Sequence, residues 1–448
     1  MTAVANRRPL TWEMAAGGSH ALATGVGDVG TVLLAGPPAA AGAESLASHL
    51  LRLGALPAEA KRPAFILKVV ADSGLQGRGG AAFPVARKMV AAAAGTGKAL
   101  LVVNGSESEP ASRKDWTLLC LRPHLVLDGA ALAAAAIGAS SAVIQLHRGA
   151  AAPSAALLQA LQQRRAADLS DPRFTISFGP PRYVAGESSA IRAFLAGGPA
   201  KPAPRGGRGH GPGSPPLVQN VETLALLALL GRFGADWLRG FGTGASPGPT
   251  LVTLAGAVDH PGLVAEMTGP TALSNVLTRW GGLAGAPRAL LFGGYAGTWC
   301  DGRQAWGLDL NRESLATAEI PFGSGLVGVL PWDACGLAET ARLLTYLAQE
   351  SSGQCGPCVW GLPRLAKEMS DLAWGRVASR DVRRMARMAT ELAGRGACHH
   401  PDGAVTLLAS ALTVFSDEVV HHLRQGPCSR SGRGPVFPIP ERRDAAWR

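Results

Sequence analysis

The sequence has few aromatic residues, little lysine and no long apolar run. Aromatics make up 5% of the 448 residues, and lysine supplies only seven of the 43 basic ones. Nucleic-acid surfaces usually combine basic residues with stacking aromatics, and no such stripe is present, so we expect no nucleic-acid partner. The formal net charge is still +11. Both an anionic partner and a merely compositional excess of arginine are compatible with that balance.

Signals for export and disulfide formation are also missing. The N-terminus contains no continuous apolar segment of signal-peptide length. The most apolar stretch, residues 129–146, is mostly alanine, glycine and serine, which is too short and too weakly apolar for a membrane span. Seven scattered cysteines do not resemble a disulfide framework. We therefore expect a cytoplasmic chain that has no membrane span and reaches a membrane surface only through a partner.

The length suggests two to four domains, because single cores stop growing at roughly 250–300 residues. Shifts in composition divide the chain into an N-terminal segment (1–60), an α/β domain (61–245), a small α+β module with a connector (246–332), a helical domain (333–425) and a flexible tail (426–448). A proline- and glycine-rich loop occupies residues 201–216.

Short apolar runs predict the strands. In the first domain they alternate with alanine-rich helical segments, at 100–103, 142–146 and 174–177. This alternation predicts a mainly parallel sheet, which binds ligands at the carboxyl ends of its strands. In the second module, the predicted strands surround one helix, at 251–254, 262–264 and 289–292 with the helix at 272–280.

Four short motifs contain the candidate binding residues. The glycine-rich loop 74–84 allows backbone N–H groups to approach a phosphate, and Arg78 adds charge. Asn104 follows a predicted strand and offers a donor and an acceptor to a heterocycle. Glu187 is predicted at the positive end of a helix, and 219–224 is predicted to begin another helix. Each motif alone is equally compatible with an ordinary turn or helix start.

Three cysteines lie within the predicted helical domain. Cys355 and Cys358 form the sequence's single Cys-x-x-Cys pair, and Cys398 follows forty residues later. Three thiols in a cytosolic chain favour a soft metal or an iron–sulfur cluster. The pair alone is also compatible with zinc or with a redox-active dithiol.

Taken in order, these motifs resemble the NADH-binding flavoprotein subunit of respiratory complex I, and related subunits of NAD-linked hydrogenases and formate dehydrogenases. The family pattern RGRGGAGFPTGxKW matches QGRGGAAFP from residue 76, followed by Lys88. NADEGEP matches NGSESEP at 104–110, and YxxGEETAL matches YVAGESSA at 183–190. The remaining matches are NNVETL with QNVETL at 219–224, ESCGxCxPCREG with ESSGQCGPC at 350–358, and the last cysteine with Cys398.

The resemblance covers about residues 60–425 and implies both the fold and the cofactors. It implies an FMN-binding α/β domain with a mainly parallel sheet, a ubiquitin-like β-grasp (SLBB-type) module and a C-terminal helical bundle with one iron–sulfur cluster. The implied cofactors are FMN, a [4Fe–4S] or [3Fe–4S] cluster and, as a candidate, NAD(H). The implied partners are other redox subunits or a ferredoxin-like protein.

The family also implies roles for individual residues. The residues expected around the FMN and nucleotide phosphates are Gly77, Arg78, Gly79 and Gly80. Those expected to contact FMN are Lys88, Asn104, Tyr183, Gly186 and Glu187. Those expected at the phosphate or ribityl chain of FMN are Asn220 and Thr223. Those of the NADH pocket are Phe83, under the adenine, and Glu107 and Glu109, on the nicotinamide side. The implied cluster ligands are Cys355, Cys358, Cys398 and, as an uncertain fourth, Ser352.

This sequence departs from the family pattern mainly in the NADH pocket. Ser106 and Ser188 replace acidic residues, and Arg205 or Pro204 replaces a second stacking aromatic. Arg205 is a candidate for stacking on an adenine or pairing with a phosphate in its place. At the cluster, Ser352 replaces the first cysteine. His399 and His400 are alternative ligands.

The expected function is electron transfer from NAD(P)H, or another donor, to FMN, then to the cluster and on to a redox partner. The departures favour an accessory oxidoreductase subunit. The alternative is a degenerate, non-catalytic relative that acts as a binding or scaffold subunit. A third interpretation is a quinone- or ligand-binding role of the β-grasp module. The basic tail is a candidate docking segment for an acidic ferredoxin-like partner.

Overall fold

The computed structural model describes residues 24–25, 31–95, 97–205, 215–441 and 446–447. Most of the proline- and glycine-rich loop, most of the first 30 residues and part of the extreme C-terminus lie outside the described residues. Three large hydrophobic clusters organise the described chain. The first contains Leu33, Leu34 and Ala60, so residues 31–60 pack onto the α/β domain instead of forming a separate segment.

A parallel sheet of four strands forms the centre of the first domain. In spatial order its strands are Arg173–Gly179, Ser141–His147, Leu101–Asn104 and Leu217–Asn220. The three predicted strands are confirmed to within a few residues. The fourth strand was not predicted, because Gln219 and Asn220 were assigned to the start of the long helix that directly follows, and Leu217 and Val218 were assigned to no element.

Helices cover both faces of this sheet, as parallel sheets require. They are Leu46–Leu53, Pro63–Ser73, Val85–Ala93, Lys114–Leu121, Pro123–Ala136, Ala151–Ala166, Ser188–Leu195 and Val221–Arg239. Short 3-10 segments occupy Ala39–Ala41, Ala58–Lys61 and Tyr183–Gly186. The small residues of Pro123–Ala136 permit close helix packing: a Cβ at Gly129 would lie 1.8 Å from the Leu224 carbonyl oxygen.

The second module contains a mixed sheet. Its strands, in spatial order, are Thr24–Gly25, Val264–Met267, Thr250–Gly256, Leu326–Leu330, Ala289–Phe292 and Thr298–Asp301. The two central strands run parallel, and three antiparallel pairings complete the 250–330 part. Its helices are Leu273–Gly281, Gly302–Ala305 and Arg312–Thr317. The predicted strands at 251–254 and 289–292 and the helix are confirmed, and the strand at 262–264 begins at Val264. The strands that were not predicted are Thr24–Gly25, Thr298–Asp301 and Leu326–Leu330.

The third part is helical, as predicted. Its helices are Gly336–Gln349, Leu362–Ala373, Ser379–Leu392, His400–Val414 and Ser416–Gln425, with a π-helical turn at Pro357–Gly361. Within the described ranges, no single helix is long and apolar enough to cross a membrane. Two bent helix pairs pass that test on length and composition alone, Lys114–Leu121 with Pro123–Ala136 and His400–Val414 with Ser416–Gln425.

The tail differs from the sequence prediction. Residues 426–441 pack against the helical domain through a 3-10 turn at Ser429–Gly432 and through Phe437, which is only 1% exposed. Arg430 pairs with Glu418 at 3.3 Å, and Arg433 pairs with Asp333. The prediction of a flexible tail is therefore wrong for residues 426–441. Because these two arginines are paired within the chain, they give little support to docking of an acidic partner on the tail.

Candidate functional site

The carboxyl ends of the parallel strands bring two of the predicted motifs together. Asn104 lies in register with Gln145 on one side and with Asn220 on the other. Asn104 donates through Nδ2 to the Gly186 carbonyl at 3.0 Å, which fixes the 183–190 motif against this edge. The interpretation of 219–224 as a helix start is corrected here: Gln219 and Asn220 belong to a strand, and the helix begins at Val221.

Asn220 joins the strand to the helix that follows it. Its Oδ1 accepts from the backbone N–H groups of Glu222 at 3.0 Å and Thr223 at 3.4 Å. This is the N-cap arrangement that satisfies otherwise unpaired amides. Its Nδ2 donates to Asp115 at 2.6 Å. The positive end of the long helix therefore opens at the same edge as Asn104.

The glycine-rich loop packs against this helix start. Gly77 donates to the Phe83 carbonyl at 3.0 Å, which closes the loop. The Arg78 backbone N–H donates to the Thr223 hydroxyl at 2.9 Å. Gly80 has a φ of +96°, a backbone conformation that favours glycine. Backbone N–H groups of a glycine loop beside a helix N-terminus provide a setting suited to a phosphate.

The Arg78 side chain has a different position from the predicted one. Its guanidinium is buried and donates to Ser246 Oγ at 3.0 Å and to the carbonyls of Pro247 at 2.7 Å, Gly248 at 3.3 Å and Pro249 at 3.3 Å. Burial lowers its pKa to about 10. The side chain thus joins the loop to residues 246–249, and its position does not support the predicted phosphate contact.

Lys88 and Glu187 lie at the same edge. Lys88 donates through Nζ to the Val218 carbonyl, and its pKa is lowered to about 8 by burial and by Arg192. Glu187 is exposed and accepts from the backbone N–H groups of Ser189 at 2.8 Å and Ala190 at 3.2 Å, so it caps the helix as predicted. A cation and a capped helix end therefore border the loop and the strand ends.

A buried carboxyl group connects the first two domains. Glu109 Oε2 accepts from the Tyr183 hydroxyl and from the Tyr295 backbone N–H, both at 3.0 Å. Its Oε1 is buried and has no hydrogen-bond partner among the described residues. Burial raises the pKa of Glu109 to about 7, against the opposing effect of these hydrogen bonds. An unpaired buried oxygen at this position fits a polar group supplied by a ligand.

The raised pKa of Glu109 predicts a pH-dependent stability. The ordinary pKa of a glutamate, 4.5, applies to the unfolded chain, and the raised pKa of about 7 applies to the folded protein. Between these two pH values the folded protein holds a proton on Glu109 that the unfolded chain has released. This stabilisation is present below pH 4.5 and is lost as the pH rises to about 7, with a slope of up to about 1.4 kcal/mol per pH unit. We expect Glu109→Gln to remove this slope in thermal unfolding series from pH 5 to 8. The exposed Glu59→Gln is the control, and an unchanged slope in Glu109→Gln contradicts the assignment.

Glu107 and Phe83 differ in how well they fit the predicted NADH pocket. Glu107 is directed toward the start of the helix Lys114–Leu121 and accepts from Ser112 Oγ at 2.5 Å and from the Trp116 N–H at 3.0 Å. It is therefore used as a helix cap. Phe83 is 50% exposed, and Arg87 lies over its ring with Cζ 5.8 Å from the centroid.

The sequence analysis missed a buried charged group behind the site. Lys114 Nζ contacts Asp115 at 2.9 Å and Glu222 at 2.8 Å. These charges are linked to the strand edge, because Asp115 also accepts from Asn220 at 2.6 Å. Lys114 lay in no predicted motif, and Glu222 lay in the 219–224 motif without a predicted role, since their contact spans 108 positions.

The three predicted cluster cysteines lie at adjoining helix starts. Cys358 lies in the π-helical turn Pro357–Gly361, Cys355 shortly precedes that turn, and Cys398 precedes the helix His400–Val414. Burial, followed by the neighbouring Cys355 and Cys398, raises the pKa of Cys358 to about 12. The three thiols are therefore close enough to influence one another's ionisation. A donor set made only of sulfur fits an iron–sulfur cluster.

The candidates for a fourth ligand are not equally available. Ser352 is buried, and its Oγ accepts from Gln354 Nε2 at 3.1 Å. His400 Nε2 lies 2.8 Å from the Leu347 carbonyl, so it carries a proton and cannot ligate through that nitrogen. His399 is turned outward, with its side chain 88% exposed. Ser352 thus stays a predicted ligand, and the geometry disfavours His399 and the His400 Nε2.

Arg205 occupies a position that was not expected. Its guanidinium pairs with Asp402, contacts His399 Nδ1 at 2.8 Å and donates to the Cys398 carbonyl at 3.2 Å. Its backbone N–H donates to the Ala397 carbonyl at 2.8 Å. The prediction that Arg205 stacks on an adenine is not supported, because its side chain is held against the cysteine loop.

Tyr183 brings the two predicted cofactor sites next to each other. Its hydroxyl donates to Glu109, and its ring centroid lies 5.7 Å from that of His400 and 5.9 Å from that of Tyr346. His400 is two residues from Cys398. A Cβ at Gly186 would lie 2.7 Å from Ser108 Oγ, so the turn after Tyr183 has no room for a side chain. The strand edge and the cysteine loop are thus neighbours in the fold.

Comparisons with known proteins give the same two regions. The family described as "Nuo51 FMN-binding domain" matches residues 70–228, and the "NADH-ubiquinone oxidoreductase-F iron-sulfur binding region" matches residues 338–422. Among curated relatives, the F subunit of the NADH-quinone oxidoreductase of Streptomyces coelicolor is 31% identical over 403 residues, which cover 87% of each chain. The F 2 subunit of the Rhizobium meliloti NADH-quinone oxidoreductase is 31% identical and covers 82% of this chain and 90% of that protein.

Solved structures of an NAD+-reducing [NiFe]-hydrogenase are similar as well. The air-oxidized form superposes with a TM-score of 0.75 at 30% identity, over 87% of this chain and 68% of the hydrogenase chain. The H2-reduced form gives 0.74 at 29% identity, over 84% of this chain and 66% of the hydrogenase chain. About a third of that hydrogenase chain thus has no counterpart here. This chain belongs to the family of NADH-quinone oxidoreductase F subunits, oxidoreductases with an FMN-binding domain and a 4Fe–4S iron–sulfur region.

Proposed function

We propose that this chain is an electron-transfer subunit that takes electrons from NAD(P)H and delivers them through FMN and one cluster to a redox partner. The main support is the position of Tyr183, which contacts Glu109 at the strand edge and His400 beside the cysteine loop. When bound, FMN accepts a hydride and gives up electrons singly, and the cluster carries single electrons.

The chain's own residues would bind and orient these groups. We assign phosphate binding to the backbone of Gly77, Gly79 and Gly80 beside the helix N-terminus, supported by the Arg78–Thr223 contact of 2.9 Å. Lys88 adds a positive charge at this edge. Its ammonium donates to the Val218 carbonyl.

The heterocycle and the NADH pocket are assigned to the remaining matches. Asn104, Tyr183, Gly186 and Glu187 would orient the ring, with Asn220 and Thr223 nearer its chain. Glu109 Oε1 lacks a partner among the described residues, so we assign it a polar contact with the bound group. The exposed ring of Phe83 would provide the stacking surface for the adenine.

We also propose that residues 246–332 form the β-grasp module of this family. The support is topological: helix Leu273–Gly281 packs on a mixed sheet whose first and last module strands lie parallel at its centre. The predicted boundaries near 245, 332 and 425 are part of this proposal. Partner subunits are proposed because the similar proteins are named as subunits or come from a hydrogenase complex.

The second candidate is a non-catalytic relative that has kept the fold but lost NADH turnover. Two observations favour it. Arg205 is held at Asp402 and Cys398, so the position of the family's second aromatic provides no stacking side chain. Glu107 is used as a helix cap, and its carboxylate is not directed into a pocket.

Reduction by nucleotide separates the two candidates. Protein purified without oxygen is assayed for flavin and iron, and its flavin absorbance is followed after NADH, NADPH or dithionite. The proposal predicts bound flavin that either nucleotide bleaches. Flavin that only dithionite bleaches supports the non-catalytic candidate. Colourless protein that takes up neither flavin nor iron contradicts the proposal.

A further inference from the structure

A second group of metal-binding side chains lies away from the three cluster cysteines. Cys335, His422 and Cys428 place their ligand atoms within 4.8 Å of one another. They come from three elements: the residue before helix Gly336–Gln349, the last turn of helix Ser416–Gln425 and the turn that follows it. Neither the sequence motifs nor the family matches gave these residues a role.

The spacing of this group suits a small tetrahedral ion. Cys335 Sγ lies 3.7 Å from His422 Nε2. With zinc bonds of about 2.3 Å to sulfur and about 2.0–2.1 Å to nitrogen, neighbouring ligands in a tetrahedron lie about 3.5 Å apart. The separation of 3.7 Å between Cys335 Sγ and His422 Nε2 is therefore close to that of two zinc ligands.

The backbone sets the tautomer of His422. Its Nδ1 lies 3.2 Å from the Leu372 carbonyl, which can only accept, so Nδ1 carries the proton. Its Nε2 lies 3.2 Å from the Cys428 N–H, which can only donate, so Nε2 holds a lone pair. Metal-binding histidines are oriented in this way, with the second ring nitrogen donating to a carbonyl or carboxylate.

Hydrogen-bond donors face both sulfurs. Cys335 is the N-cap of helix Gly336–Gln349, and its Sγ accepts from the Ala338 N–H at 3.4 Å. Cys428 Sγ lies 3.4 Å from the Ser431 hydroxyl. Thiolates are the form in which cysteine binds metals.

Glu418 provides a candidate for the fourth position. Its Oε2 lies 3.3 Å from Cys335 Sγ, and the residue is 1% exposed. Its Oε1 faces Arg430 at 3.3 Å and Arg288 at 3.5 Å. These two guanidinium groups offset the excess negative charge that two thiolates and a carboxylate would bring to a divalent ion.

We propose that Cys335, His422 and Cys428 bind one zinc ion, with Glu418 or a water molecule as the fourth ligand. Two sulfurs and one imidazole form a donor set typical of zinc. The ion would join the start of helix Gly336–Gln349 to the segment 426–441, which carries the buried Phe437. The site is structural, and it does not depend on the proposed electron-transfer function.

Elemental analysis and zinc-edge X-ray absorption of the full chain test this proposal. The protein is purified without oxygen or chelator from zinc-supplemented cells, and zinc, iron and flavin are measured in one sample. We expect about one zinc per chain, with two sulfur neighbours at about 2.3 Å from the zinc and nitrogen or oxygen neighbours at about 2.0–2.2 Å. Flavin and iron do not contribute at the zinc edge.

Substitutions identify the ligands. Cys428 is partly exposed, so Cys428→Ala is expected to fold. Its zinc content should fall roughly tenfold or more, while its iron content stays unchanged. Cys300→Ala, a partly exposed thiol outside the group, is expected to keep its zinc. His422→Gln gives an independent test. Zinc-free wild-type protein, zinc retained in both Cys428→Ala and His422→Gln, or a Cys335–Cys428 disulfide under these conditions overturns the proposal.

Discussion

Cys358→Ala is expected to remove the iron–sulfur cluster and to leave the flavin in place. Cys358 is 2% exposed and lies in the π-helical turn that follows Cys355. Loss of a residue that only hydrogen-bonds to a metal ligand already lowers metal affinity roughly 10- to 100-fold, so loss of a ligand itself should lower the iron content roughly tenfold or more. NADH should still bleach the flavin, but electron delivery to a partner should be lost together with the cluster. Iron assay and stopped-flow absorbance measure the two effects.

A buried cysteine in another domain provides the matched control. Cys120 is 9% exposed and lies in helix Lys114–Leu121 of the first domain. Cys120→Ala removes the same atom from a comparable environment and should keep its iron. If Cys358→Ala keeps a full iron complement, the ligand assignment is wrong. If it loses flavin together with iron, the two sites are not independent.

Arg78→Met is expected to have the largest effect on stability. It leaves the carbonyls of Pro247, Gly248 and Pro249 and the Ser246 hydroxyl without their buried donor. Each buried acceptor left without a donor costs about 1–3 kcal/mol, so the free energy of unfolding should fall by several kcal/mol. The loop 74–84 should also shift from Thr223, so flavin affinity should fall with stability. Denaturant unfolding and flavin fluorescence measure these changes.

The control for this prediction is an exposed arginine in the same domain. Arg173 is exposed and is the first residue of Arg173–Gly179, an edge strand of the parallel sheet. Arg173→Met should change stability by no more than about 0.5 kcal/mol. Equal effects of the two substitutions contradict the assignment of Arg78 as the link between the loop and residues 246–249.

The strand edge was predictable because it depends on local pattern. Apolar runs of about four to five residues indicated the strands of a parallel sheet. Asn104 directly after the run 100–103 indicated a polar end of its strand, where such sheets bind ligands. The cysteine spacing indicated a metal centre, and the order of the motifs indicated the family. The strand Leu217–Asn220 was missed because a short strand joined directly to a helix has no separating turn.

The remaining features depend on contacts between distant positions. Arg205 and Asp402 are 197 positions apart, and Cys335 and His422 are 87 apart. The sequence suggested that Arg205 stacks on an adenine or pairs with a phosphate, and it gave Cys335 no role, because only packing decides which side chains meet. The tail was predicted to be flexible from its polar composition. One residue, Phe437, enters the core and holds it in place.

Transfer between the two cofactor sites can be followed in one anaerobic sample mixed with excess NADH. The flavin absorbance and the EPR signal of the reduced cluster are recorded together, with Cys358→Ala in parallel. We predict flavin bleaching and a cluster signal in the wild-type protein, and bleaching without the signal in the variant. A bleached wild-type flavin beside a cluster that only dithionite reduces would contradict electron transfer from the flavin to the cluster.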